Sequence, residues 1–208
     1  MATTAFSEVN PAPRLRALAL PFFLSGVAAL AYQICWQRLL FVALGADIDS
    51  VTIIVSTFML GLGTGSLIGG ELADRYPQRI LLLFAAAEAG IGLFGLFSPN
   101  LITTVGNLVV RQSLPIISAT NFVLLLIPTT LMGATLPMLV ALLVRRQLTI
   151  GVSIGGLYCL NTLGAALGAI LVGFICFYFF ELNTVIYGAA LINFFVSSLT
   201  LWIAREQR

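Results

Sequence analysis

The sequence predicts an all-α integral membrane protein of six transmembrane helices, and three observations carry that reading. Hydrophobic residues make up 60% of the 208-residue chain and charged residues only 9%, whereas a soluble domain devotes about 25% to charge. The mean hydropathy is +1.07. Six apolar runs reach the roughly 20 residues that a helix needs to cross a bilayer, and short linkers rich in breaking residues separate them. Length and composition fit one bundle in the lipid bilayer, residues 14–208, preceded by a cytoplasmic tail over residues 1–13.

The first helix is predicted over 17–44. Arg14, Arg16 and Ala29-Leu30-Ala31 imitate a cleavable secretory signal. The apolar character resumes through Ile34-Cys35-Trp36 and on to Leu44, which favours a span. The second helix covers 51–72 and runs into a charged segment stopped by Tyr76-Pro77. The third covers 79–97 and is bounded by Ser98-Pro99-Asn100, after which 100–115 suits a short interfacial helix. The fourth, over 116–144, contains Pro128 and Pro137. Each proline removes one backbone bond and favours a kink, while Thr129, Thr130 and Thr135 offer hydroxyls to the freed carbonyls. The fifth and sixth cover 151–179 and 183–204, parted by Glu181 and Leu182.

Arginine placement gives the orientation. With six spans both ends share a side, which receives Arg14, Arg16, Arg75, Arg79, Arg145, Arg146, Arg205 and Arg208. The other side receives Asp47, Asp49, Arg111 and Glu181. Both termini are therefore expected in the cytoplasm, with the chain multi-pass in the cell (inner) membrane.

Composition also excludes chemistry. Histidine and lysine are absent from the sequence, which removes imidazole bases, histidine metal ligands and lysine nucleophiles. Cys35, Cys159 and Cys176 sit in apolar runs without C-x-x-C spacing and read as small buried hydrophobes. No enzyme activity, metal or cofactor is expected, and a net charge of +2 does not suggest nucleic acid.

Polar residues inside the spans are the candidate site. Counting helix rise from each cytoplasmic end puts Glu88, Gln33, Asn161 and Asn193 in one layer near the midplane, with Tyr32 beside them. A carboxylate at that depth costs at least about 2.5 kcal/mol, so Glu88 either contacts a substrate or cation, or serves structure against a neighbouring helix. Ser25, Ala29, Gln33 and Gln37 recur every four residues and suggest a lining stripe flanked by Tyr32 and Trp36; Tyr187, Ala190, Asn193 and Ser197 suggest a second. Arg38 either snorkels or neutralises an acid such as Asp47. Gly61, Gly63, Gly65, Gly69 and Gly70 on the second helix, and Gly164 and Gly168 on the fifth, have the spacing of close helix–helix packing. Gly61, Gly65, Gly69, Gly164 and Gly168 are candidates for a dimer interface, with packing inside one bundle as the other reading.

The segment Gly70-Glu71-Leu72-Ala73-Asp74-Arg75-Tyr76-Pro77-Gln78-Arg79 resembles the loop motif after the second helix of the major facilitator superfamily. It departs from that motif at Pro77 and Gln78. Tyr32-Gln33-x-x-Trp36-Gln37-Arg38-Leu39, Leu131-Met132-Gly133-Ala134-Thr135-Leu136-Pro137 and Leu157-Tyr158-x-x-Asn161-Thr162-Leu163-Gly164 resemble the membrane half of fused spermidine synthase-like proteins. The resemblance implies a half major-facilitator-type bundle of six helices, a half-size transporter working as a homodimer. Asp74, Arg75 and Arg79 would be gating residues, with Asp74 facing residues 149–153 of a second copy. The lone midplane acid suggests a small cationic substrate, and the family name suggests a polyamine. The alternative is a non-transporting anchor or partner for a separate soluble synthase-like subunit.

Overall fold

The structure, a computed structural model, describes residues 17–44, 48–109, 111–145 and 150–206. The expected tail 1–13, the arginines 14, 16, 146 and 208, Asp47 and Thr149 lie outside the described residues, as does the Asp49 side chain. Helices α1 (Ala19–Leu44), α2 (Ile48–Arg75), α3 (Ile80–Val109), α4 (Leu114–Arg145), α5 (Ile150–Ile170) and α6 (Leu182–Glu206) build the chain, and no strand occurs among the described residues. A 3-10 turn, Pro77–Arg79, opens α3, while a π turn, Leu171–Cys176, and the short turn Phe177–Phe179 extend α5. All six helices are long and apolar enough to cross a membrane.

One expected boundary is absent. No separate interfacial helix occupies 100–115; α3 continues through Ser98-Pro99-Asn100 to Val109. Pro99 brings no N–H to the carbonyl of Gly95 four residues before it. The Ser98 hydroxyl donates to that carbonyl at 3.0 Å and accepts the Trp36 indole N–H at 2.9 Å. The breaker is thus repaired locally and pinned to α1. In α4 the threonines behave differently from expectation. Thr129 and Thr130 bond the carbonyls of Leu125 and Leu126, and Thr135 that of Met132. The carbonyls that Pro128 and Pro137 free belong to Leu124 and Gly133.

The packing has an internal symmetry. α2 lies along α4 as α5 lies along α1, α3 meets α4 as α6 meets α1, and α3 crosses α6. Exchanging α1–α2–α3 with α4–α5–α6 leaves this pattern unchanged. The glycines repeat it in detail. Gly65 and Gly69 abut the backbone of Thr130 and Ala134, while Gly164 and Gly168 abut that of Phe23 and Val27. Gly133 meets Leu62 as Gly26 meets Asn161. One fixed shift in residue number carries each α2 position onto its α5 counterpart, and another carries α1 onto α4. Successive spans alternate in direction, so α1 and α4 run oppositely and the repeat is inverted.

This overturns one assignment. Gly61, Gly65, Gly69, Gly164 and Gly168 face helices of their own chain, where a Cβ would strike Thr129, Thr130, Ala134, Phe23 and Val27. They are packing glycines within the bundle and leave no surface for a second copy. Small residues are what membrane helices need for such approach, since lipid supplies no hydrophobic drive between them.

Candidate functional site

Buried apolar residues form two clusters stacked along the membrane axis. One contains Phe22, Phe84 and Val196, and the other Ala28, Ile91 and Ala190. On α1, α3 and α6 alike the boundary between clusters carries a polar residue: Ser25, Glu88 and Asn193. The structure joins these three. The Ser25 hydroxyl donates to Oε1 of Glu88 at 2.6 Å, and the Asn193 amide donates to Oε2 at 2.7 Å. One turn away Ser197 donates to the Ala85 carbonyl at 2.8 Å, which tightens the α3–α6 crossing. Glu88 has 0% exposure. Both carboxyl oxygens thus have a hydrogen-bond partner, the compensation that a carboxyl group at this depth requires.

The six candidate binding residues therefore separate. Glu88 and Asn193 come together, and both are buried inside the chain. Tyr32 is also fully buried, stacked on Trp36 at 4.7 Å between ring centroids with its hydroxyl against Gly95. It belongs to the core rather than to a lining stripe, and its hydroxyl oxygen, like Oδ1 of Asn193, has no hydrogen-bond partner. Gln33, Gln37 and Asn161 are half-buried, and no hydrogen bond joins them to Glu88. The stripe from Ser25 to Gln37 is split because steps of four residues overshoot a 3.6-residue turn by about 40° each. Ser25 points to the core and Gln37 has turned away from it.

The charged segment after α2 is arranged within the chain. Asp74 forms an ion pair with Arg145 at the end of α4, 3.0 Å apart. Arg75 lies over the Tyr76 ring at 5.8 Å, and Arg79 is exposed and closes the 3-10 turn through its N–H to the Tyr76 carbonyl. Of the cysteines, Cys35 is buried and Cys176 half-buried, as expected of small hydrophobes, but Cys159 is exposed. Arg38 rests on the ring of Phe177, 3.9 Å from its centroid, a contact that sequence spacing alone did not reveal.

A second feature was hidden by the packing glycines. Only 28% of the α2 span and 17% of the α5 span are buried, against 44–56% of the other four. On their free faces Gly63 and Gly70 of α2, and Gly155, Gly156 and Gly173 of α5, have nothing near the position of a Cβ. Comparisons with protein-family models, curated proteins and solved structures find no match to the chain.

Proposed function

We propose that the chain is half of a homodimeric membrane transporter of major-facilitator type, carrying a small cationic amine of the polyamine class, with both termini cytoplasmic. The observation that carries this reading is a pair of helices that each pack one face in the bundle and leave the other uncovered. α2 and α5 are exchanged by the inverted repeat, are the least buried spans, and each has open glycines on its free side among exposed large apolar residues such as Leu67 and Tyr158. Nested inverted repeats are the construction of a major-facilitator half, and two such halves related by an axis along the membrane normal enclose one pathway. A second copy would set α2 against the partner's α5. Counted from the middle of each antiparallel helix, Gly63 is level with Thr162, Ser66 with Cys159, Gly70 with Gly155 and Thr52 with Gly173. Small residues then meet small residues along the contact.

In this reading Gln33, Gln37 and Asn161 line the pathway and Glu88 acts from behind them. Ser25 ties the carboxylate to α1, just over two turns from Gln33. Among the described residues Glu88 is the only acid in the middle of a span, and a charge there acts through a low-dielectric medium that strengthens attraction for a cation. Asp74, Arg75 and Arg79 act as the cytoplasmic gate where one half moves against the other, with Asp74 held in place by Arg145 of its own half. The test is flux in proteoliposomes across a panel of amines. Wild type is expected to move a polyamine, and Glu88→Gln to abolish flux with expression and assembly intact. Normal flux by Glu88→Gln removes the carboxylate from the mechanism, and no flux of any amine favours the partner-subunit reading.

A further inference from the structure

We propose that the groove between α1, α5 and α6 holds an acyl chain of one anionic phospholipid whose phosphate docks on Arg38. The groove encloses about 320 Å³, at the lower end of the roughly 300–1,000 Å³ of small-molecule sites. Its walls include Ala31, Val172, Cys176, Phe180 and Gly188, with Thr184 as the one hydroxyl. It runs from Ile192 near the middle of α6 to Thr184 near its start, about 12 Å at helical rise. That is an acyl-shaped trough, apolar along its length and reaching the end of the span.

Two local features build it. The π turn Leu171–Cys176 adds a residue to α5, and the Phe177 N–H reaches back to the Val172 carbonyl. Val172 and Cys176 thereby line the groove while the Phe177 ring turns to α1. Gly188 on α6 leaves open space where a side chain would stand.

A cation lies near one end of the trough, outside its lining. Val27 and Ala31 line it from α1, and Arg38 lies on the same face, seven residues beyond Ala31. Its guanidinium stacks on Phe177, beside the groove residue Cys176. No carboxylate among the described residues pairs with it. A base near a span end reaches for the headgroup layer, where a guanidinium can pair a phosphate through two parallel hydrogen bonds. Exposed Tyr178, Phe179 and Phe180 mark that layer. A guanidinium above an apolar trough matches a phosphodiester above a hydrocarbon chain.

Native mass spectrometry of the full chain in detergent, titrated with phosphatidylglycerol or phosphatidylcholine, tests this. One phosphatidylglycerol should stay bound in preference to phosphatidylcholine. Arg38→Gln should weaken its retention about tenfold, as the loss of a charge-assisted contact, and Arg38→Lys should keep most of it. Gly188→Leu, whose Cβ enters open space in the groove wall, should remove the adduct while the protein elutes as wild type. Equal retention of both lipids with no effect of Arg38→Gln overturns the proposal, and so does an adduct that survives Gly188→Leu.

Discussion

Glu88 shows how much a residue's identity tells and where it stops. Its place in an apolar run is enough to mark it as a paired intramembrane acid. The partners were only half legible. Asn193 stood at the same depth, whereas Ser25 was grouped with Gln33 and Gln37 because four-residue spacing hides the drift of a helix face. The pairing makes two substitutions diverge. In Glu88→Gln the new amide can donate to Oδ1 of Asn193, which now lacks a partner, once that side chain rotates. The variant should therefore fold near wild type and fail in flux. Glu88→Leu leaves the Ser25 hydroxyl and Asn193 amide unsatisfied, and unsatisfied buried groups cost about 1–3 kcal/mol each. It should be less stable than Glu88→Gln by about 2 kcal/mol or more, read from unfolding in detergent. Equal stability of the two would mean that the carboxylate layer contributes nothing to the fold.

At the scale of the helix, apolar run length gave all six spans and most of their ends, though not that of α3, because apolar composition decides what crosses a bilayer. Pro99 misled because its repair depends on Ser98 and on Trp36 from another helix, a tertiary fact. The glycines misled for a related reason: spacing shows that a helix has a close-packed face but not which neighbour occupies it. The structure assigns Gly65 to α4 and leaves Gly63 free. Gly65→Leu should therefore disrupt the monomer, since a side chain would enter the Thr130 backbone, and overpacking costs about 1–3 kcal/mol or more. Gly63→Leu should leave the monomer folded and lower the dimer fraction, as size-exclusion chromatography with light scattering would show. The reverse ranking would return the interface to Gly65. At the ends of α2 and α4, Asp74 is 81% exposed and Arg145 43%, so their ion pair contributes at most about 1 kcal/mol. Asp74→Asn should barely shift unfolding yet alter flux. A large loss of stability with unchanged flux would make the pair a structural clamp.

For the whole molecule, the fold class and the half-bundle resemblance could be reached from the sequence, but the inverted repeat could not. α1 and α4, or α2 and α5, share little beyond small residues at matching places, and those matches emerge only once the contacts between helices are known. The repeat also relates α2 to α5, the two least buried spans, and the proposal of a dimeric transporter rests on that pair. The most direct measurement uses a cysteine already present. Cys159 is exposed on the free face of α5, level with Ser66 of α2 across the proposed contact. In lipid vesicles Ser66→Cys should form a disulfide-linked dimer on mild oxidation, and Cys159→Ser in the same protein should abolish it. A Ser66→Cys protein that stays monomeric under oxidation while remaining active in flux, or a crosslink that persists without Cys159, would contradict the arrangement.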